Sequence, residues 1–172
     1  MCEVVMKKIG ILTCGNLTQD MGCCSFMCLK ELNALSGPFA RYKKDGGAQL
    51  MGIISCAGCP TAIAPEKILM RVRALAELGC DVIHIGSCME YVCPFKNKYK
   101  TLIEERYPDV TVEIGTHGYV VDRETSRKLF GKITRDILLQ ERLSMTDMFL
   151  QILELKERGN NEMESAVRNA TR

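Results

Sequence analysis

A chain of 172 residues, 47% of them hydrophobic, fits one domain of common size with a sizeable core. Its net charge of +2 and the lack of any Lys or Arg run argue against nucleic acid as a partner. No apolar run approaches the roughly 18 residues of a membrane span, and the N-terminal MCEVVMKKIGILTCG lacks the order of a signal peptide, so a cytoplasmic protein without a membrane partner is expected.

Four short apolar runs, rich in β-branched residues, read as buried strands: KKIGILTC (7–14), LMGIISC (50–56), DVIHIGSC (81–88) and VTVEIGTH (110–117). Helical patterns stand between them. CSFMCLKELNAL covers 24–35 and PEKILMRVRALAEL covers 65–78. In the latter, Ile68, Val72, Leu75, Ala76 and Leu78 form an apolar stripe, Pro65 is a first-turn residue and Gly79 a stop. PFKNKYKTLIEER (94–106) follows Pro94 in the same manner. RYKKDGG (41–47) reads as a solvated turn into the second strand, its Asp45-Gly46-Gly47 marking the turn itself. Alternation of strand and helix predicts an α/β fold with a mainly parallel sheet. Right-handed crossovers make it a doubly wound three-layer sandwich, Rossmann-like or flavodoxin-like.

From about residue 119 the cysteines stop. Asp122 is placed to cap a helix with Leu129, Ile133, Ile137 and Leu138 on one face. Ser144 and Asp147 give a second start of the capping-box kind, followed by the stripe Met148, Ile152 and Leu155. This divides the chain into an α/β domain over 1–143 and a helix with a polar tail over 144–172. The second helix packs on the same domain or makes a homodimer contact.

Ten cysteines in a chain with enough length for a core and no export pattern point to metal ligation or thiol chemistry rather than a disulfide framework. In an open parallel sheet, ligands bind beyond the carboxyl ends of the strands. The four predicted strands end in Cys14, Cys56, Cys88 and His117, each a soft or borderline metal ligand. Their loops add Cys59, Cys93 and, after the first strand, Cys23, Cys24 and Cys28. One thiol-rich site at that edge, assembled from distant loops, is the expectation. Cys2 and Cys80 read as small core residues, and His84, between Ile83 and Ile85, as a hydrogen-bonded core histidine.

The order IGILTC, ISCAGCP, GSC, CP and GTH resembles the CGGC domain family over about residues 7–118. The resemblance implies a metal-binding, cysteine-rich domain whose matching positions are Cys14, Cys23, Cys28, Cys56, Cys59, Cys88, Cys93 and His117. Ala57 stands where the family's name motif has its first glycine. In the first loop, Cys23 is preferred to Cys24 for its five-residue step to Cys28.

Seven thiols and one histidine exceed the four ligands of a closed zinc site. Two zinc ions, an iron–sulfur cluster, or one metal beside a reactive dithiol use them more fully, and sulfur softness does not separate zinc from iron–sulfur. The alternative is thiol–disulfide chemistry at Cys56 and Cys59, with Cys59 near a helix start that favours its thiolate. A flavin- or phosphate-binding enzyme is the remaining reading. TCGNLTQDMG follows the first strand where a dinucleotide fingerprint would need G-x-G-x-x-G, a Walker loop is lacking, and Asp20 stands where a cysteine phosphatase would carry arginine. No organic substrate is named by these residues, so whether the chain is an enzyme is left open.

Overall fold

A computed structural model describes residues 6–59 and 62–118, with Thr125, Lys128, Phe149, Leu150 and Leu153 beyond them. The expected helices after Asp122 and Ser144, and the homodimer contact assigned to the second, lie almost wholly outside the described residues. The chain divides into two compact units. One comprises residues 1–18 and 27–118, the other residues 19–26 and 119–172.

The first unit is built on four strands: β1 (Lys7–Thr13), β2 (Ala48–Ser55), β3 (Val82–Ile85) and β4 (Thr111–Ile114). All neighbours pair in parallel, in the order β2-β1-β3-β4. The four apolar runs therefore do form an α/β parallel sheet. Its helices are α1 (Gly15–Gln19), α2 (Phe26–Ala34), α3 (Ala64–Glu77), α4 (Ser87–Val92) and α5 (Lys96–Arg106), with a 3-10 helix over Gly37–Asp45. Among the described residues no helix is long and apolar enough to cross a membrane.

Side-chain alternation along β1 sorts the packing. Ile9 and Ile11 meet Cys28 and Leu32 of α2, Phe39 and Tyr42 of the 3-10 helix, and Val82 in one buried cluster. Gly10 points the other way, and a Cβ there would stand 2.6 Å from Leu75 Cδ1, so the missing side chain lets α3 approach the sheet. α3 follows its pattern in part: Ile68, Val72 and Leu75 are buried at i, i+4 and i+7, but Leu78 is 54% exposed because it lies past the last full turn. Gly79 then ends the helix with φ +74°, a left-handed turn that glycine adopts without strain.

Two short pieces depart from the sequence reading. The six residues of α4 are too few for a periodic pattern to register. The segment 41–47 is not simply a solvated turn: Tyr42 is buried, and its hydroxyl donates to His84 Nε2 at 2.7 Å. His84 is fully buried, and its Nδ1–H donates to Gly115 O at 2.8 Å, so the neutral ring is satisfied on both sides. Phe39 lies against it at 4.5 Å between ring centroids.

Burial holds the His84 pKa below its usual 6.5, partly offset by the Gly115 carbonyl and by Glu113, while Arg41 adds to the lowering. The unfolded chain takes up a proton near 6.5 and the folded chain resists it, so stability falls as pH drops through that value and levels off below the folded pKa. Urea midpoints from about pH 7.5 to about pH 5.5 should decline with a slope of at most about 1.4 kcal/mol per pH unit from this residue. His84→Asn should flatten that slope; an unchanged slope would remove His84 as its source.

Candidate functional site

The last paired rung between β1 and β2 is Thr13 with Ser55, and the Cys56 amide continues the ladder by donating to Thr13 O at 2.8 Å. Cys14 and Cys56 therefore leave neighbouring strands side by side, and each thiol shifts the other's pKa. The Cys14 amide donates to Cys88 Sγ at 3.1 Å, and the Gly15 amide donates to Cys56 Sγ at 3.1 Å. Three sulfurs from the loops after β1, β2 and β3 are thus brought to one edge, as the strand-end positions predict. Cys14 and Cys56 follow their strands directly, whereas Cys88 lies three residues beyond β3, in the first turn of α4.

The two thiols act on each other. Cys56 is pulled down to about 5, first by Cys14 and then by the Gly15 and Gly58 amides and the Arg71 charge, against the opposing effect of burial. Cys14 is pushed far up, first by Cys56, then by burial and by the nearby Cys88. The two therefore titrate as a pair.

Cys59 is exposed and fastened through its backbone. Asn16 Oδ1 accepts from the Cys59 amide at 3.0 Å, and Asn16 Nδ2 donates to the Cys59 carbonyl at 3.1 Å. The helix that follows, α3, begins at Ala64, five residues on and one residue nearer than its sequence pattern places it. The C-x-x-C thiol that the surrounding amides pull down is Cys56. Cys56 and Cys59 are not joined in a disulfide. Cys93 is half-buried; burial raises its pKa, and the Cys59 and Cys56 charges add to the effect.

Cys28 and His117 belong to an adjoining network. Cys28 Sγ lies 3.1 Å from Thr116 Oγ1, which accepts the Ser87 amide at 3.0 Å. Ser87 Oγ accepts the amides of Thr116 and His117 at 2.9 and 3.0 Å and donates to His117 O at 2.7 Å. His117 Nδ1–H donates to Gly118 O at 3.0 Å, so Nε2 carries the lone pair; burial lowers the ring's pKa. The two networks share the turn Gly86-Ser87-Cys88. Cys23, half-buried, and Cys24, exposed, lie in the second unit. Cys80 is buried, as expected of a core residue, and burial with the Asp81 charge pushes its thiol up to about 11.

Sequence reasoning missed Asn16, Arg71, Ser87 and Thr116. Arg71, on α3, donates to Ser55 O at 2.9 Å and Cys56 O at 3.3 Å and fixes the loop that carries Cys56. The sulfur-rich donor set has the chemistry of a soft-metal site. Among the described residues, however, no three His, Cys, Asp or Glu side chains stand in a grouping that could hold a metal ion.

Fold and site together define a cysteine-rich α/β protein with thiols gathered beyond the carboxyl ends of a parallel sheet. The family model described as CGGC domain matches residues 8–117, well over half of the chain, and the chain belongs to that family. The matched span holds every candidate residue from Cys14 to His117. No curated protein and no solved structure matches the sequence.

Proposed function

We propose that the chain is a thiolate metal-binding protein whose site is centred on Cys14, Cys56 and Cys88, with Cys59 and Cys93 on the adjoining loops and Cys28 and His117 as further donors. The observation that carries this reading is that Cys14 and Cys56 leave neighbouring strands in continuing register while Cys88 Sγ accepts the Cys14 amide at 3.1 Å. The strand order supports it. From β1 the chain goes to one side for β2 and to the other for β3, the switch point at which open sheets bind ligands, and it agrees with a doubly wound, flavodoxin-like three-layer sandwich.

A bound metal would supply thiolate-compensating positive charge, as zinc, or electron-transfer capacity, as an iron–sulfur cluster. The protein's part is to deliver sulfur in the right protonation state. The Cys56 pKa is lowered, which favours its thiolate, whereas the Cys14 pKa is raised, so ligation by both releases a proton from the pair. The role is metal delivery, sensing or a redox activity in the cytoplasm. The low-pKa Cys56 also favours thiol–disulfide chemistry as a second reading.

Metal analysis and UV–visible spectra of anaerobically purified protein test the first reading. Charge-transfer bands of a brown protein identify iron–sulfur. A colourless protein with stoichiometric zinc, releasing protons as zinc is titrated in, identifies the zinc form. Protein that binds neither metal and releases no proton would overturn the proposal.

A further inference from the structure

We propose that Cys14 and Cys56 form a disulfide across the first two strands when the protein meets a hydroperoxide, in place of the Cys56–Cys59 pair that the C-x-x-C spacing suggests. The register of the first two strands favours this pair with or without a metal. The Thr13–Ser55 rung and the Cys56 amide bond to Thr13 O place Cys14 opposite Cys56 in continuing register. Neighbouring strands run about 4.8 Å apart, inside the Cα separation that a disulfide spans. The Gly15 amide, next to Cys14, donates to Cys56 Sγ at 3.1 Å, so the Cys56 sulfur lies against the Cys14 backbone.

Cys59 is less well placed. Gly58, at φ +82°, turns the chain so that Cys59 is exposed while Cys56 is buried. Asn16 then binds the Cys59 amide and carbonyl from across the site and holds that turn. Cys14 and Cys56 are each 8% exposed, which admits a small peroxide more readily than a bulky disulfide such as a glutathione dimer.

The steps balance. Having released its proton, the Cys56 sulfur attacks one peroxide oxygen, the O–O bond breaks, and the departing hydroxide takes up that proton as water, leaving the Cys56 sulfenic acid. The Cys14 sulfur then attacks the Cys56 sulfur, an S–S bond forms, the S–O bond breaks, and the hydroxide departs with the Cys14 proton as a second water. Two thiols are oxidised by two electrons, and one hydrogen peroxide is reduced to two waters.

The test treats the whole chain, stripped of metal by a chelator, with hydrogen peroxide under non-reducing conditions, followed by trypsin and mass spectrometry. Cys14 falls in the peptide spanning 9–30, and Cys56 in that spanning 45–67. The expected product is these two peptides joined, lighter by two hydrogens, with fragmentation placing the bond at Cys14 and Cys56. Cys59→Ser should leave that product intact, and Cys14→Ser should abolish it. A bond inside the 45–67 peptide, a bond to Cys88 or Cys93, or Cys56 sulfinic acid without a disulfide would each overturn the proposal. Using metal-free protein keeps this result separate from the success or failure of the metal reading.

Discussion

Cys88→Ser is expected to weaken metal binding by more than about 100-fold, although it leaves the C-x-x-C loop untouched. Loss of an outer-shell partner alone typically costs 10–100-fold in affinity, and a first-shell sulfur matters more. Cys88 stands 32 positions from Cys56 in sequence, yet its Sγ accepts the Cys14 amide at 3.1 Å, and the next amide, of Gly15, donates to Cys56 Sγ at 3.1 Å. If all three belong to one site, removing the third sulfur acts on the other two directly. Serine keeps the volume and an acceptor for the Cys14 amide, so the fold should survive. Cys80→Ala is the contrast: that thiol is buried in the core, its pKa is raised to about 11, and its loss should leave metal content per folded protein unchanged. Competition with a chromophoric zinc chelator measures both variants. Equal affinity for Cys88→Ser and wild type would confine the site to the C-x-x-C loop and remove the shared-edge argument.

Convergence of these loops was legible because it follows from two coarse rules. Parallel strands alternating with helices put every strand's carboxyl end at one edge, and the apolar runs at 7–14, 50–56, 81–88 and 110–117 each lead to a ligand. The core role of His84 was legible from its apolar neighbours. Its partner Tyr42 was not, because RYKKDGG carries too many charges to look buried. Only the fold shows that a 3-10 helix turns the phenol inward, where burial pushes it up to about 12 and keeps it a donor. Asn16 and Arg71 were invisible for a related reason. Each acts by hydrogen bonds to a loop distant in sequence, and such contacts leave no periodicity. The choice of Cys59 as the low-pKa thiol rested on helix proximity. The field that acts is instead the amides of Gly15 and Gly58 and the neighbouring Cys14, all directed at Cys56.

That arrangement makes Gly15 the position where one methyl group should do the most damage. A Cβ at Gly15 would stand 2.8 Å from the Cys56 carbonyl oxygen, 3.1 Å from Gly58 N and 3.3 Å from Gly58 Cα. All three are backbone atoms, so no side-chain rotation relieves the clash, and the loop after β2 must move away from α1. The motion would stretch the Gly15 amide bond to Cys56 Sγ and the Asn16 bracket on Cys59 together. Gly15→Ala is therefore expected to cost about 1–3 kcal/mol of stability by overpacking. It should also raise the Cys56 pKa, because a donor to the thiolate is lost. Gly118→Ala supplies the reference, since a Cβ there meets nothing within 4 Å, and its stability should stay within about 0.5 kcal/mol of wild type. Urea denaturation gives the first quantity, and the pH dependence of iodoacetamide labelling at Cys56 gives the second. If Gly15→Ala keeps both the wild-type stability and the wild-type labelling profile, the close approach of α1 to the Cys56 loop is not what sets the thiolate.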